Sequence, residues 1–311
     1  MTHISLMLEY FHPWPNAAGY YAARAAGFYA EQEIDVEIIV ADPGRGDTLH
    51  YLAEQAITFG IFPSNRLLVR REQNQQLTSI AAINHTGLES IQTIANKKIH
   101  RPRDLEGKNI ALNPTPRGIA MVKHLVEKDG GNPEHLTFID CGTRELTPEE
   151  LAEGIADASF GGYWAWEALM SSAIPDDERI TLPVSDWGAP PYHSYLLGTH
   201  DQTLQHQPEL TRRFLLATAQ GYHYAAKYPL DTLKLLEQVI PYFPKQLLAD
   251  SLKAITPTWF HKNIWGKQRP SLFAQYAQWL YQHDIIKSPN IWKKSFTNRF
   301  LPNGEHIQWL H

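Results

Sequence analysis

The sequence predicts an α/β clamshell of two lobes, built from mainly parallel sheets with helices on both faces. Strand-like and helical segments alternate along the chain, which favours parallel strands joined by helices. A second run of such units begins near Asn109, after the polar turn 104–108. The length of 311 residues suits two domains of ordinary size better than one.

The first run of elements occupies residues 4–83. We predict strands at 4–8, 34–40, 58–61 and 77–83, and helices at 17–28 and 47–55. Pro13 and Pro15 exclude a helix from the loop after the first strand. Gly27 is placed to end the first helix.

The second run and the C-terminal part give the domain division. Strands are predicted at 109–112, 136–140, 155–159 and 192–198, and helices at 119–127, 148–153, 165–173, 210–228, 230–239, 245–255 and 272–283. We expect lobe I to comprise residues 1–84 plus 195–311 and lobe II residues 85–194. The two crossings would be hinges, with the ligand cleft between the lobes.

Composition excludes several classes of function. The formal net charge is −5 with no long basic run, so nucleic acid is not an expected partner. No segment approaches the roughly 18 to 20 apolar residues that span a bilayer. A single cysteine, Cys141, excludes an internal disulfide and a Cys-rich metal site. The 15 histidines show no metal-binding spacing, and His193 and His223 are expected to be exposed or hydrogen-bonded. No metal or cofactor is predicted.

The segment 160–167 (FGGYWAWE) is the main candidate for a ligand site. Gly161 and Gly162 are expected to turn the backbone tightly after a strand and to leave room for a ligand. Tyr163 and Glu167 are four residues apart and would share one helix face, where a flat ring could lie on the tyrosine while its amine donates to the carboxylate. The alternative is a core helix with buried aromatic residues.

Further candidates are aromatic and polar residues at turns. An aromatic clamp would comprise Tyr10, Trp14, Tyr20, Tyr163, Trp164 and Trp187. Two or three of these residues could instead fill the lobe interface. Asn84 is a further candidate ligand residue, and Thr115 could bind a polar ligand edge or cap a helix. The turn 44–47 could hold an anion, but a capping role for Asp47 or Thr48 is favoured.

Several short motifs, in this order and spacing, resemble the type II periplasmic binding protein superfamily, and within it the thiamine-pyrimidine group. The matching segments are 8–10 (LEY), 15–21 (PNAAGYY), 27–29 (GFY), 34–36 (IDV), 58–61 (TFGI), 104–108 (DLEGK), 162–164 (GYW), 208–210 (PEL) and 213–215 (RFL). The group unites solute-binding proteins of ABC transporters for thiamine precursors with the fungal pyrimidine synthase. The resemblance implies a formylaminopyrimidine or hydroxymethylpyrimidine type of ligand, contacted by Tyr163 and Glu167, with Tyr10 as the aromatic residue after the first strand. The extra residues 12–14 depart from the family there and put the shape of the pocket wall in doubt.

The synthase branch is disfavoured by the same resemblance. The resemblance places Phe62 at the position of the lysine that binds pyridoxal phosphate in the synthase, and Arg66 at the position of the histidine that the synthase consumes. A phenylalanine cannot form a Schiff base. We therefore expect a monomeric solute-binding protein, not an enzyme, that passes its ligand to an ABC permease. It would be periplasmic or lipid-anchored, with its export signal absent from this sequence. The alternatives are a cytoplasmic enzyme of pyrimidine or thiamine-precursor metabolism and a ligand-sensing module.

Overall fold

The chain forms two compact units in a computed structural model that describes residues 1–10, 12–40, 42, 44, 46–162 and 173–302. Unit 1 comprises Met1–His85, Tyr192–Tyr281 and Ile286–His311. Unit 2 comprises Thr86–Pro191 and Gln282–Ile285. The chain thus leaves unit 1 after His85 and re-enters it at Tyr192.

The sheet of unit 1 has, within the described residues, five strands in the order β2-β1-β3-β10-β4. These strands are β1 (Thr2–Met7), β2 (Ile34–Ile39), β3 (Phe59–Pro63), β4 (Leu77–Ala82) and β10 (Tyr195–His200). β1 is parallel to β2 and β3, whereas β10 runs antiparallel to β3 and β4. The carboxyl ends of β1 and β3 and the amino end of β10 therefore lie at one edge, called here the strand edge of unit 1.

The sheet of unit 2 repeats this arrangement in the order β7-β6-β8-β5-β9, counted over the described part of the chain. Its strands are β5 (Glu89–Ile94), β6 (Asn109–Leu112), β7 (Thr137–Asp140), β8 (Ala158–Gly162) and β9 (Arg179–Pro183). β6 is parallel to β7 and β8, and β5 is antiparallel to its neighbours β8 and β9. The mainly parallel α/β architecture predicted from the sequence is thus confirmed in both sheets.

The helices surround these sheets and mostly match the predicted ranges. They are α1 (Ala18–Ala25), α2 (Phe28–Glu31), α3 (Thr48–Ala53), α4 (Ser64–Glu72), α5 (Pro116–Lys128), α6 (Pro148–Ala152), α7 (Asp201–His206), α8 (Pro208–Lys227), α9 (Pro229–Val239), α10 (Lys245–Ile255) and α11 (Pro270–Gln282). Helices α2, α4 and α7 were not predicted. In α4, four of the nine residues are charged, and they obscure the apolar face that Leu67 and Leu68 bury. None of the described helices has the length and apolar character needed to cross a bilayer.

The core of unit 1 is tightest where α1 crosses α8. An added Cβ at Gly19 would overlap the Tyr222 ring, and one at Gly221 would overlap the Gly19 carbonyl. Because both positions lack side chains, the two helix backbones approach closely and the Tyr20 ring packs edge-on against Tyr222 at 5.3 Å. This contact fixes the loop that precedes α1, which carries several candidate site residues.

The predicted position of β8 was wrong. The sequence analysis placed a strand at 155–159 and the two glycines in a turn, whereas β8 runs from Ala158 to Gly162 and includes both glycines. An added Cβ at Gly161 would overlap the Glu145 side chain, whose Oε1 accepts a 2.5 Å hydrogen bond from Gly162 N–H. The space that the glycines provide on this side is therefore filled by the protein's own carboxylate. Strands β5 and β9 were also missed.

A candidate ligand site at the strand edge of unit 1

The strand edge of unit 1 gathers ionisable and aromatic side chains from four elements. In open α/β sheets, ligands bind outside the carboxyl ends of the parallel strands. Glu9 and Tyr10 follow β1, Asp47 precedes α3, Arg66 lies in the first turn of α4, and Tyr195 begins β10. We call these five residues the strand-edge cluster.

Glu9 is the most unusual member of the cluster. Its side chain is only 9% exposed, and its Oε1 accepts a 2.8 Å hydrogen bond from Arg66 Nη1. Its Oε2 is buried without a hydrogen-bond partner among the described residues. The nearby Thr48 hydroxyl donates to the Leu8 carbonyl at 3.2 Å, so its proton is already engaged. Burial raises the pKa of Glu9 to about 8 despite Arg66, and Asp47 adds to the rise. The Glu9 carboxyl is therefore mostly protonated at neutral pH.

Asp47 links the cluster to two helices. Its carboxylate accepts a 3.0 Å hydrogen bond from His50 N–H and so caps α3, which confirms the predicted capping role. It also accepts from Arg70 Nη2 at 3.1 Å and lies 3.7 Å from Arg66 Nη1. Arg66 is thus held between two carboxyl groups while its side chain remains 42% exposed.

The aromatic half of the cluster is a tyrosine pair. The hydroxyls of Tyr10 and Tyr195 share a short hydrogen bond, and their ring centroids lie 6.0 Å apart. Although burial opposes the change, Glu9 and Asp47 raise the pKa of Arg66, and Tyr195 and Tyr10 add to the rise. Trp14 meets Tyr10 edge-on at 6.2 Å and stacks on Phe243 at 5.4 Å. Tyr10 is half-buried, whereas Trp14 is buried behind it and supports its ring.

Two further predicted residues of unit 1 lie in its interior. Tyr20 has no exposed surface, so a ligand could reach its ring only if α1 separated from α8. Asn84 is also fully buried, and its side chain exchanges two hydrogen bonds with Asn16, of 2.9 and 3.1 Å, and donates to Thr258. The amide nitrogen and the amide oxygen of Asn84 therefore both have partners within the protein.

The predicted residues of unit 2 lie at opposite ends of α5. Thr115 is exposed and caps the helix by accepting from Gly118 N–H at 3.1 Å. Trp187 packs on Arg101, which binds Asp129 at the other end of α5. Because a helix rises 1.5 Å per residue, the two ends of this 13-residue helix are about 20 Å apart. Thr115 and Trp187 therefore cannot both touch one small ligand.

Tyr163, Trp164 and Glu167 lie outside the described residues. The strand that leads to them is firmly held: Glu145 binds Gly162 N–H, and the buried Arg117 forms an ion pair with Glu89, which is the register partner of Gly162. These contacts fix the end of β8.

The histidines do not form a metal centre in the described part of the chain, where no group of three or more His, Cys, Asp or Glu side chains is placed to hold an ion. His193 is only 2% exposed, and its ring is hydrogen-bonded to Asn84 O and Arg269 N–H, which agrees with the expectation that it is exposed or hydrogen-bonded. Burial raises the pKa of the Cys141 thiol to about 11, which leaves it protonated at neutral pH and poorly nucleophilic.

The sequence analysis missed Glu9, Arg66 and Tyr195 as members of one site. Glu9 directly follows a predicted strand, and this position at a strand end was the signal in the sequence that could have identified it. Arg66 and Tyr195 are 57 and 186 residues from Glu9, and their proximity depends on the order of strands in the sheet.

Comparison with solved structures identifies the class of fold. The periplasmic aliphatic sulphonate binding protein SsuA from Escherichia coli superposes with a TM-score of 0.75, covering 98% of this chain and 94% of that chain at 12% identity. The protein thus has the periplasmic-binding-protein fold. Residues 14–232 match the family model described as NMT1/THI5 like, and the chain belongs to that family.

Two curated relatives match over nearly their whole length. The formylaminopyrimidine-binding protein of Halalkalibacterium halodurans is 24% identical over 302 residues, covering 95% of this chain and 89% of the relative. The 4-amino-5-hydroxymethyl-2-methylpyrimidine phosphate synthase of Legionella pneumophila is 20% identical over 304 residues, covering 97% and 93%. The relatives that this chain matches thus include both a binding protein and an enzyme.

Proposed function

We propose that this protein is an extracytoplasmic solute-binding protein of an ABC transporter that captures a thiamine-precursor pyrimidine and passes it to the permease. The ligand would be of the formylaminopyrimidine or hydroxymethylpyrimidine type. The observation that carries the proposal is the match, along nearly the full length of both chains, to a formylaminopyrimidine-binding protein. The strand-edge cluster of unit 1 supports it with a half-buried tyrosine beside polar groups.

The cluster suits a flat, polar heterocycle. Tyr10 offers an aromatic face whose orientation is fixed by its hydroxyl bond to Tyr195 and by Trp14 behind it. Ring stacking of this kind contributes about 0.5 to 1.5 kcal/mol beyond the burial of area. Arg66 and the tyrosine hydroxyls supply hydrogen-bonding groups at the rim, as small-molecule sites require.

Tyr163 and Glu167 remain our proposed contacts for the pyrimidine in unit 2. An aminopyrimidine presents an exocyclic N–H donor beside a ring-nitrogen acceptor, and a carboxylate accepts the first bond directly. The carboxylate forms a good hydrogen bond with the ring nitrogen only when a proton is shared between the two groups. Glu167→Gln keeps the shape but loses this charge-assisted pair, so we expect it to weaken binding by about 1.5 to 3 kcal/mol.

Isothermal titration calorimetry with formylaminopyrimidine and with hydroxymethylpyrimidine tests the proposal. The parent should bind at least one of them in a saturable, stoichiometric way, and Glu167→Gln and Tyr163→Ala should weaken binding without lowering the melting temperature. A control is Tyr228→Ala, which removes an exposed aromatic ring at the end of α8, outside the candidate site. No heat with either pyrimidine would contradict the proposed ligand class, and unchanged affinity in Glu167→Gln would remove that residue from the site.

A second candidate, an enzyme of pyrimidine synthesis, is favoured by the Legionella pneumophila relative. Against a lysine-dependent reaction stands Phe62, which has no amine and is fully buried against Gly198 of β10. Adding pyridoxal phosphate and recording the absorbance distinguishes the two candidates. An aldimine band that borohydride abolishes, with a modified lysine in the peptide map, would favour the enzyme.

A further inference from the structure

The strand-edge cluster and the neighbouring Arg70 together carry an excess of positive charge at neutral pH, although the whole chain is negative. Among the described residues, the charged groups that face one another there are Glu9, Asp47, Arg66 and Arg70. With the Glu9 carboxyl protonated, two guanidinium groups are matched by a single carboxylate, that of Asp47. The formal net charge of the chain is −5, so this local excess of positive charge does not follow from the overall composition.

Arg66 is the cation of this cluster that is best placed to meet a ligand. Its side chain is 42% exposed, whereas that of Arg70 is 28% exposed and donates to Asp47. It bonds to Glu9, the residue that directly precedes Tyr10, whose ring we propose stacks on the pyrimidine. One of its five N–H donors is used by Glu9, which fixes the guanidinium while leaving other donors for an oxygen ligand.

We propose that Arg66, held in place by Glu9, recognises an anionic oxygen substituent on the pyrimidine, so that the protein binds the phosphorylated form of the ligand more tightly than the neutral alcohol. The inference rests on the proposed function and adds the substituent to it. An arginine guanidinium forms paired, charge-assisted hydrogen bonds with phosphate oxygens. Glu9 is the positioning residue, because its Oε1 orients Arg66 and its buried, unpartnered Oε2 keeps the carboxyl from acting as a counter-charge at neutral pH.

This arrangement predicts that the affinity for the phosphorylated ligand depends on pH. Above the pKa of Glu9, about 8, the carboxylate becomes a second counter-charge for Arg66, and the excess of positive charge at the cluster disappears. The phosphate monoester is already a dianion in this range. Its affinity should therefore fall as pH rises from 7.5 to 9, whereas the affinity of the neutral alcohol should change little. Glu9→Gln cannot ionise and should abolish the fall.

The experiment uses a matched pair of ligands, 4-amino-5-hydroxymethyl-2-methylpyrimidine and its monophosphate, titrated by calorimetry at pH 7.5 and 9. At pH 7.5 we expect the parent protein to bind the monophosphate roughly 10-fold more tightly than the alcohol. Arg66→Met should lose this ratio of affinities. In Glu9→Gln the ratio should be the same at both pH values. The control is Arg71→Gln, which removes one charge from the same helix, where Arg71 pairs with Asp201 at 2.9 Å. It should leave the ratio unchanged.

The outcomes separate the inference from the proposed function. Equal affinity for the two ligands in the parent, or an equal loss of phosphate preference in Arg71→Gln and Arg66→Met, would overturn the role of Arg66. A fall of affinity above pH 8 that persists in Glu9→Gln would overturn the role of Glu9. If neither the alcohol nor the monophosphate binds while circular dichroism shows a folded protein, the role of Arg66 is overturned, and the titration with formylaminopyrimidine decides separately whether the proposed ligand class holds.

Discussion

Two buried polar groups of unit 1 follow β1 within a few residues of each other, and they are satisfied very differently. Asn16 accepts from Asn84 Nδ2 and Trp259 Nε1 and donates to Asn84 Oδ1, at distances between 2.9 and 3.1 Å. Glu9 has a partner for one oxygen and none for the other among the described residues. The first arrangement stabilises the fold, whereas the second destabilises it, and such exceptions are concentrated at functional sites.

The largest expected effect tests the satisfied network. Asn16→Ala leaves Trp259 Nε1 and Asn84 Oδ1 without their partners in a buried place, while Asn84 Nδ2 keeps its hydrogen bond to Thr258. Because each unsatisfied buried group costs about 1 to 3 kcal/mol, we expect a loss of about 3 to 5 kcal/mol in the free energy of unfolding. Urea denaturation measures it. A loss under about 1 kcal/mol would mean that this network contributes little to stability.

The second prediction concerns acid pH and the buried histidines His85 and His193. Burial lowers the pKa of each to about 3, and Arg269 contributes in both cases. In the unfolded chain their pKa is about 6.5, so the unfolded state binds more protons between pH 6.5 and 3, and stability falls as pH falls through this window. At pH 5 we expect a loss of about 2 to 4 kcal/mol relative to pH 7.

The measurement is the urea midpoint at pH 7, 6 and 5. Both ring nitrogens of His85 are buried without partners among the described residues, so His85→Gln should weaken the dependence on pH. A substitution of His3 is the control. His3 is exposed, and Asp35 raises its pKa, whereas the pKa values of His85 and His193 are lowered. A profile that is equally steep in His85→Gln would show that other groups cause the acid sensitivity.

The smallest effect tests Glu9 as a source of instability. Its pKa in the folded state is about 8, above the unfolded value near 4.5, so the folded state binds more protons between these values and stability falls as pH rises through them. Glu9→Gln should therefore raise the free energy of unfolding at pH 8 by about 1 to 2 kcal/mol. Thermal unfolding of both proteins at pH 5 and 8 measures the difference. A variant that is less stable at pH 8 would mean that the ion pair with Arg66 outweighs burial.

Much of the architecture could be predicted from local patterns. The strand at 109–112 and the helix at 245–255 were predicted with their observed bounds, and Asp47 was recognised as a cap. The failures were of a different kind. β8 was placed three residues too early because the glycines in it suggested a turn, and the carboxylate that requires them, Glu145, is distant in the sequence.

The sequence by itself determined the alternation of strands and helices, because hydrophobic periodicity, helix caps and prolines act within a few residues. Only the tertiary structure decided which polar groups would be satisfied. Whether Glu9 is an ordinary surface acid or a buried carboxyl with a raised pKa depends on Arg66, Asp47 and Thr48, which the order β2-β1-β3-β10 brings to one edge. Desolvation and charge interactions act through space, so the chemistry of the candidate site depends on strand order, which no local pattern encodes.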